Sequence, residues 1–281
     1  MLGKGIHGEV FPMMFRSKRV AVKKVEFIYP DTITGFLDEL DLLAKLRGHE
    51  NIAELYAVSL DGYNGFLIME YCDYGLWNHY FNKQNKQKPK INFDKLQFLS
   101  LLNDIANGME WMHKKNVLHR DLTVHNIVLL EYKGEQGPFL KAKLIDFHLS
   151  VSKDWSDAEE KLKFLPLEKL IKCSPEAIND KSNYHFPSDV FMFGNILWEI
   201  LHREEIYHRL KFKHAIQLIL QGKLKPVTVK IDLEVLKVLE NCWNLDPDQR
   251  PTFESIVKEL SSLLEHEKKK RMRYNHFNAL K

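Results

Sequence analysis

Asp121 and Asn126 stand five residues apart in VLHRDLTVHN, a polar stretch from Val117 to Asn126. An aspartate can orient and deprotonate a hydroxyl. An asparagine at this distance can offer its side-chain oxygen to a magnesium ion (Mg2+), and phosphoryl transfer needs both tasks done side by side. Asp146 ends the apolar run AKLIDF, a common placement for a metal ligand and a less common one for a structural carboxylate. Lys23 in VAVK reads, taken alone, equally as an edge-strand solubility lysine or a phosphate partner. Gly3, Gly5 and Gly8 form G-x-G-x-x-G in LGKGIHGEV, with Val10 two places on. Such glycines let a backbone approach phosphates closely, though a tight turn or a dinucleotide fingerprint fits them as well.

The elements that must carry these residues follow from periodicity. Arg19–Phe27 alternates and is β-branched, which predicts a strand and not the helix that a dinucleotide-binding unit requires. From Gly35 the apolar positions 36, 37, 40, 43 and 46 predict a helix stopping at Gly48, with Glu39 beside its stripe and Asp38 and Asp41 on a solvated face. Strand signals follow at Ala53–Ser59 and Phe66–Met69, separated by the turn-like DGYNG, and then the polar EYCDYG. Lys83–Lys90 reads as a hydrophilic loop. Leu96–His113 reads as an amphipathic helix through Leu99, Leu102, Ile105, Met109 and Met112, delivering the chain into the polar loop ahead of the strand-like Ile127–Leu130. EYKGEQG looks like a hairpin tip. Ser156 with Glu159 forms a capping-box pattern ahead of a short helix, and Phe186–Leu201 predicts an apolar helix with Asp189 as a cap or buried anchor near its start. Leu260, Leu263 and Leu264 mark a terminal helix.

A chain of 281 residues suits one large domain or two lobes sharing a cleft, and its 44% hydrophobic and 28% charged content is that of an ordinary globular protein. The net charge of +3 makes no case for nucleic acid or membrane binding. The local exception, Lys268–Arg273 (KKKRMR), reads as a solvated tail, with a localisation signal or an anionic partner as the alternative. Cys72, Cys173 and Cys242 are odd in number and widely spaced, which favours a reducing compartment, and Cys72 reads as packed more than reactive. With no signal-peptide pattern and no long apolar run, the expectation is a cytoplasmic or nuclear protein.

Together these motifs resemble the protein kinase family over about residues 2 to 265, with the tyrosine-kinase and tyrosine-kinase-like branches nearest in wording (SDVFMFG, LWEI). The resemblance implies an α+β fold in two lobes around a nucleotide cleft, a small antiparallel sheet with one helix and a larger, mainly helical lobe. It divides a single domain, 1–281, into a small lobe (1–71), a large lobe (72–265) and a basic C-terminal tail (266–281). ATP and Mg2+ are implied as cofactors and a protein as substrate; no oligomeric state is implied. In this reading Gly3, Gly5, Gly8, Val10 and Ala21 cover the nucleotide, and Lys23, steadied by Glu39, holds its phosphates. Met69 narrows the back of the pocket, and the connector Glu70–Cys72 meets the adenine edge. Asn126 and Asp146 bind Mg2+, while Asp121 orients the acceptor hydroxyl. Arg120 binds a phosphate on the activation segment or a standing carboxylate from Asp154, Asp157, Glu159 or Glu160. Asp189 ties the catalytic-loop backbone to the large lobe, and Arg250 pairs with Glu176 of SPE.

Several positions depart from the family. His148 replaces the glycine of D-F-G, which keeps the carboxylate but restricts the following segment, and histidine tolerates positive φ better than most residues. Thr123 stands where Ser/Thr kinases carry lysine, and His125 where many tyrosine kinases carry arginine, so neither familiar phosphate-neutralising cation is present. Lys169 occupies a position that is usually threonine or proline. The sequence opens almost on the glycine pattern, which leaves the first strand short and suggests truncation. The expected activity is ATP-dependent transfer to Ser or Thr in preference to Tyr; the alternatives are a pseudokinase scaffold and, more remotely, a small-molecule kinase. Between Asp146 and Glu176 the hydroxyls are Ser150, Ser152, Ser156 and Ser174, with no Thr or Tyr. Ser156 is the best placed for a phosphate switch, but is read first as a helix cap, so that no activating phosphorylation is needed.

Overall fold

The glycine pattern and the alternating run behind it fold as antiparallel strands β1 (Gly3–Gly5), β2 (Gly8–Phe15) and β3 (Lys18–Glu26). The structure is a computed structural model and describes residues 3–5, 8–81, 93–134 and 137–279. Helix α1 (Pro30–Leu46) follows, then β4 (Leu55–Asp61) and β5 (Asn64–Glu70), which complete a five-stranded sheet in the order β1-β2-β3-β5-β4. Cα pairing of Val10 with Lys23, and of Ala21 with Met69, puts these four side chains on one face of the sheet. Val20, Val22 and Ile68 fill the opposite face with Phe11 and Phe15. The period-2 pattern thus separates a cleft face from a structural one.

Helix α1 begins five residues ahead of the expected Gly35. Pro30 takes the first helical position, where a missing N–H costs nothing, and the Thr32 hydroxyl donates to the Tyr29 carbonyl at 2.6 Å. Its buried stripe runs through Phe36, Glu39, Leu42, Leu43 and Leu46, whereas Leu37 is 54% exposed. The helix lies close on the sheet. A Cβ at Gly65 of β5 would stand 2.7 Å from the Phe36 ring, so glycine is what admits that approach.

The rest is mainly helical. After β6 (Tyr74–Gly75), α2 (Lys95–Lys114) is capped by Asp94, which accepts from Gln97 N at 2.8 Å while Gln97 Oε1 accepts from Asp94 N at 3.1 Å. Helix α2 leads through β7 (Val117–Leu118) and a 3-10 turn, Val124–Asn126, into β8 (Ile127–Gly134) and β9 (Gly137–Leu144). Strands β6, β8 and β9 form one small sheet, and β10 (Val151–Ser152) pairs with β7. Helices α3 (Ala158–Lys163), α4 (Pro175–Asn179), α5 (Phe186–His202), α6 (Phe212–Leu220), α7 (Leu233–Cys242) and α8 (Phe253–Ala279) complete the chain. Helix α5 is apolar nearly all round and buried from Ser188 to Ile200, as befits the centre of a lobe. KKKRMR lies within α8, where Arg271 pairs with Asp94 at 3.0 Å. The expected loop Lys83–Lys90 lies outside the described residues, as does the tip of the β8–β9 hairpin. No helix among the described residues is long and apolar enough to cross a membrane.

Candidate active site

The polar loop is fixed from beneath by one carboxylate. Asp189, fully buried on the first turn of α5, accepts the backbone N–H groups of His119 and Arg120, each at 3.0 Å. Tyr184 Oη donates to the same group at 2.6 Å, and His113 Nε2 lies 3.0 Å away. Burial pushes the Asp189 carboxyl up, but His113, His119 and Tyr184 outweigh it and hold the group below the usual carboxylate range. Asp189 is therefore an anchor, one of the two roles open from the sequence.

On that platform Asp121 is buried, with its two oxygens differently placed. Oδ2 accepts from Asn126 Nδ2 at 2.9 Å and from Lys169 Nζ at 2.6 Å, whereas Oδ1 is buried and accepts from nothing among the described residues. The Asn126 amide nitrogen also donates to the Asp121 carbonyl at 2.9 Å, which leaves the amide oxygen as the atom able to ligate a cation. Ile145 N donates to the Asn126 carbonyl at 3.0 Å, stapling the chain just ahead of Asp146 to this turn.

Lys23 reaches across the cleft. Its Nζ lies 2.8 Å from both Glu39 oxygens and 2.7 Å from Asp146 Oδ1. Burial pulls the Lys23 ammonium down, but the two carboxylates outweigh it and raise its pKa above the ordinary lysine value. Asp146 is pushed up by burial and held well below its ordinary value by Lys23 and His148. His148 Nδ1 lies 2.8 Å from Asp146 Oδ1. The left-handed backbone in this segment belongs to Asp146, at φ 64, and not to His148, so the tolerance of histidine for positive φ is not called upon. His148 serves as a side-chain partner of the carboxylate and needs no unusual φ.

The cleft face of the sheet supplies the remaining candidates. Gly5 pairs with Gly8, and Gly8 sits at φ 129, where an added Cβ would meet the Lys24 carbonyl oxygen at 2.2 Å, so a glycine is required there. Val10, Ala21 and Met69 line the same face as Lys23. The Glu70 backbone N–H donates to the Glu54 carbonyl at 2.8 Å, and its side chain pairs with Lys143 at 3.0 Å. Cys72 sits in the unpaired connector between β5 and β6; burial and the Glu70 charge push its thiol up to about 12, which makes it inert. The structure thus gathers Lys23, Glu39, Asp121, Asn126 and Asp146 into one constellation, with the glycines, Val10, Ala21, Met69, Glu70 and Cys72 along the sheet and connector.

Three expectations are corrected. Arg120 holds no activation-segment carboxylate; its guanidinium donates to four main-chain carbonyls, Leu149 at 3.2 Å, Lys161 at 3.2 Å, Leu162 at 2.9 Å and Phe164 at 2.6 Å. Three of these belong to the last turn of α3 and its cap, where carbonyls run short of intrahelical donors and attract a cation, although the Lys161 carbonyl also accepts from Phe164 N at 3.1 Å. Ser156 is not the cap of α3: Asp157 is the cap residue, with no side-chain cap hydrogen bond, and Ser156 is exposed in the preceding turn. Asp38 and Asp41 are not idle surface charges. Asp38 pairs with Lys161, Asp41 accepts from Trp155 Nε1 at 2.9 Å, and Lys45 reaches Asp154 at 2.6 Å and Ser152 at 2.7 Å. Sequence reasoning also passed over Lys169 as a site residue, although a lone cation in a place usually taken by threonine or proline was the available signal.

The family model of the protein tyrosine and serine/threonine kinases matches residues 1–260. The chain is 29% identical over 269 residues to "Probable serine/threonine-protein kinase drkC" of Dictyostelium discoideum, covering 93% of this chain and 34% of that protein. It is 28% identical over 277 residues to "Probable serine/threonine-protein kinase roco6" of the same organism, covering 94% and 12%. To "Fibroblast growth factor receptor 1" of Dugesia japonica it is 26% identical over 278 residues, covering 94% and 31%. In each case the chain spans only about a third of the relative's length or less.

Proposed function

The chain belongs to the protein tyrosine and serine/threonine kinase family, with its two-lobed α+β fold, and from that premise we propose that it is an active protein kinase transferring the ATP γ-phosphoryl group to a Ser or Thr hydroxyl. The observation that carries this reading is the assembled ion triad, Lys23 bound at once to Glu39 and Asp146, together with an Asp121 whose buried Oδ1 has no hydrogen-bond partner among the described residues. The domain division is that of the sequence reading: small lobe to about 71, large lobe to about 265, and the end of α8 beyond.

In this reading Lys23 grips the nucleotide phosphates, and the Gly3–Gly8 hairpin covers them with main-chain N–H groups, while Val10, Ala21 and Met69 bound the base and the connector Glu70–Cys72 faces its edge. Mg2+ fits the donors present: Asp146, held ionised, and the Asn126 oxygen are two hard ligands, and an ion that keeps phosphate oxygens and waters as its other ligands needs few more from the protein. When bound, the ion neutralises phosphate charge. Asp121 orients the acceptor hydroxyl and receives its proton at Oδ1. Positioning and charge neutralisation supply most of the barrier lowering in such a reaction.

Ser or Thr is favoured over Tyr because the loop arginine of many tyrosine kinases is absent, His125 lying instead 2.8 Å from Glu205. A second reading, a pseudokinase scaffold, draws on Asp146 Oδ1 being shared by Lys23 and His148. A radiolabelled-ATP assay on a generic protein substrate, with Asp146→Asn as control, separates the two. Transfer to serine or threonine by the parent, abolished in Asp146→Asn, is expected; intact Mg2+-ATP binding by thermal shift with no transfer would establish the scaffold, and chiefly phosphotyrosine would overturn the acceptor assignment.

A further inference from the structure

Phosphoryl transfer brings a polyanionic phosphate against a buried carboxylate, and the loop itself places no cation there. Thr123 is neutral, and His125 is turned away onto Glu205 and the Trp77 ring, at 4.5 Å between centroids. Lys23, held by Glu39 and Asp146, makes no hydrogen bond to Asp121 and is already assigned to the nucleotide phosphates, and Arg120 is taken by four carbonyls. We propose that Lys169, delivered from the activation segment, is the catalytic cation of this site, in place of the one the loop lacks. The inference rests on the kinase reading above.

The geometry is specific. Lys169 Nζ sits 2.6 Å from Asp121 Oδ2, across 48 residues of sequence, and with Asn126 it leaves the buried Oδ1 as the oxygen without a partner among the described residues. Its backbone is fixed. Lys169 lies in a 3-10 turn, Leu167–Lys172, where its N–H donates to the Pro166 carbonyl at 3.0 Å and its carbonyl accepts from Cys173 Sγ at 3.4 Å. Asn195, on the buried α5, donates from Nδ2 to the Lys172 carbonyl at 2.8 Å and ties the turn to the centre of the lobe. The Lys169 side chain is 31% exposed, whereas that of Asp121 is 3% exposed, so the pair joins a part-exposed cation to a buried carboxylate.

In the transfer step the acceptor oxygen bonds to the γ-phosphorus while the bond from phosphorus to the β–γ bridging oxygen breaks, and that electron pair leaves with ADP. The hydroxyl proton passes to Asp121 Oδ1 and later to water. Lys169 fixes the carboxylate plane and offsets the negative charge where carboxylate, acceptor oxygen and phosphate meet, an effect that a partly desolvated site strengthens.

The test measures kcat, KM and Mg2+-ATP affinity for the parent, Lys169→Ala, Lys169→Met, Lys169→Arg and the double variant Lys169→Ala/Thr123→Lys. Expected are a fall in kcat on the order of 10²-fold for Ala and Met, unchanged nucleotide affinity, partial activity in Arg, and recovery of kcat when lysine is moved to position 123. Parental kcat in Lys169→Ala would overturn the proposal, and a raised kcat would show that Lys169 is a plug on Asp121. Equal loss of kcat, ATP affinity and thermal stability would make it structural, and failure of the double variant to recover kcat would also count against it. A parent without transfer would bring down the kinase reading and this one together, whereas an active parent with an equally active Lys169→Ala brings down this one alone.

Discussion

A carboxylate with one oxygen clamped and the other buried without a hydrogen-bond partner fits a group that accepts a proton in transit. Asp121→Asn is therefore expected to lower phosphoryl transfer about 10²–10⁴-fold, the range for losing a positioned base, while leaving Mg2+-ATP affinity unchanged in a titration. Equal loss of both would remove Asp121 from that role. At this scale the sequence was informative wherever chemistry is written in side chains at fixed spacing: Lys23, Glu39 and Asp146 form one hydrogen-bonded group and Asp121 and Asn126 another, joined through the main chain by Ile145 N and the Asn126 carbonyl. It was misleading at Arg120, because the partners are carbonyls, which every residue carries and no sequence marks. It was silent on the Lys169–Asp121 pair, which exists only once the activation segment has folded back on the loop. At His148 the type of residue was legible but its use was not, since the strained φ lies two residues earlier.

Helix α1 and the activation segment are held together without a phosphate. Asp38, Asp41 and Lys45 on the helix meet Lys161, Trp155, Ser152 and Asp154 on the segment, and Arg120 holds the end of α3 from within. With α1 so docked, Glu39 remains on Lys23. Phosphatase treatment is therefore expected to leave activity unchanged, and Ser156→Ala to behave as the parent. A large loss on dephosphorylation, restored by incubation with ATP and abolished by Ser156→Ala, would show a phosphate switch instead. The start of α1 escaped sequence reading because its first turn, PDTIT, carries no apolar stripe, and the surface role of Asp38 and Asp41 was assigned because helix period alone does not reveal what stands opposite a polar face.

At the scale of the whole molecule, the bidentate pair of Arg250 with Glu176, at 2.7 and 2.9 Å, joins the segment after α7 to α4. Removing one partner of a buried pair leaves the other uncompensated, so Arg250→Ala is expected to destabilise the fold by about 3–5 kcal/mol in urea unfolding at neutral pH. Burial pushes Glu176 up, but the Arg250 guanidinium outweighs it and lowers its pKa below the ordinary 4.5. A lowered carboxylate stabilises above its ordinary pKa and loses that contribution as pH falls, so the gap between parent and variant should narrow below about pH 4.5; a gap independent of pH would assign it to packing. Arg120 bears on the molecule in another way, through its tolerance of sequence drift. A grip on a phosphate requires one hydroxyl at one place, whereas a grip on four main-chain carbonyls requires only the path of the backbone. The exposed side chains of α3 and the turn before it are thus free to vary as far as Arg120 is concerned, while an insertion, a deletion or a proline in the same stretch would shift the carbonyls and release the hold.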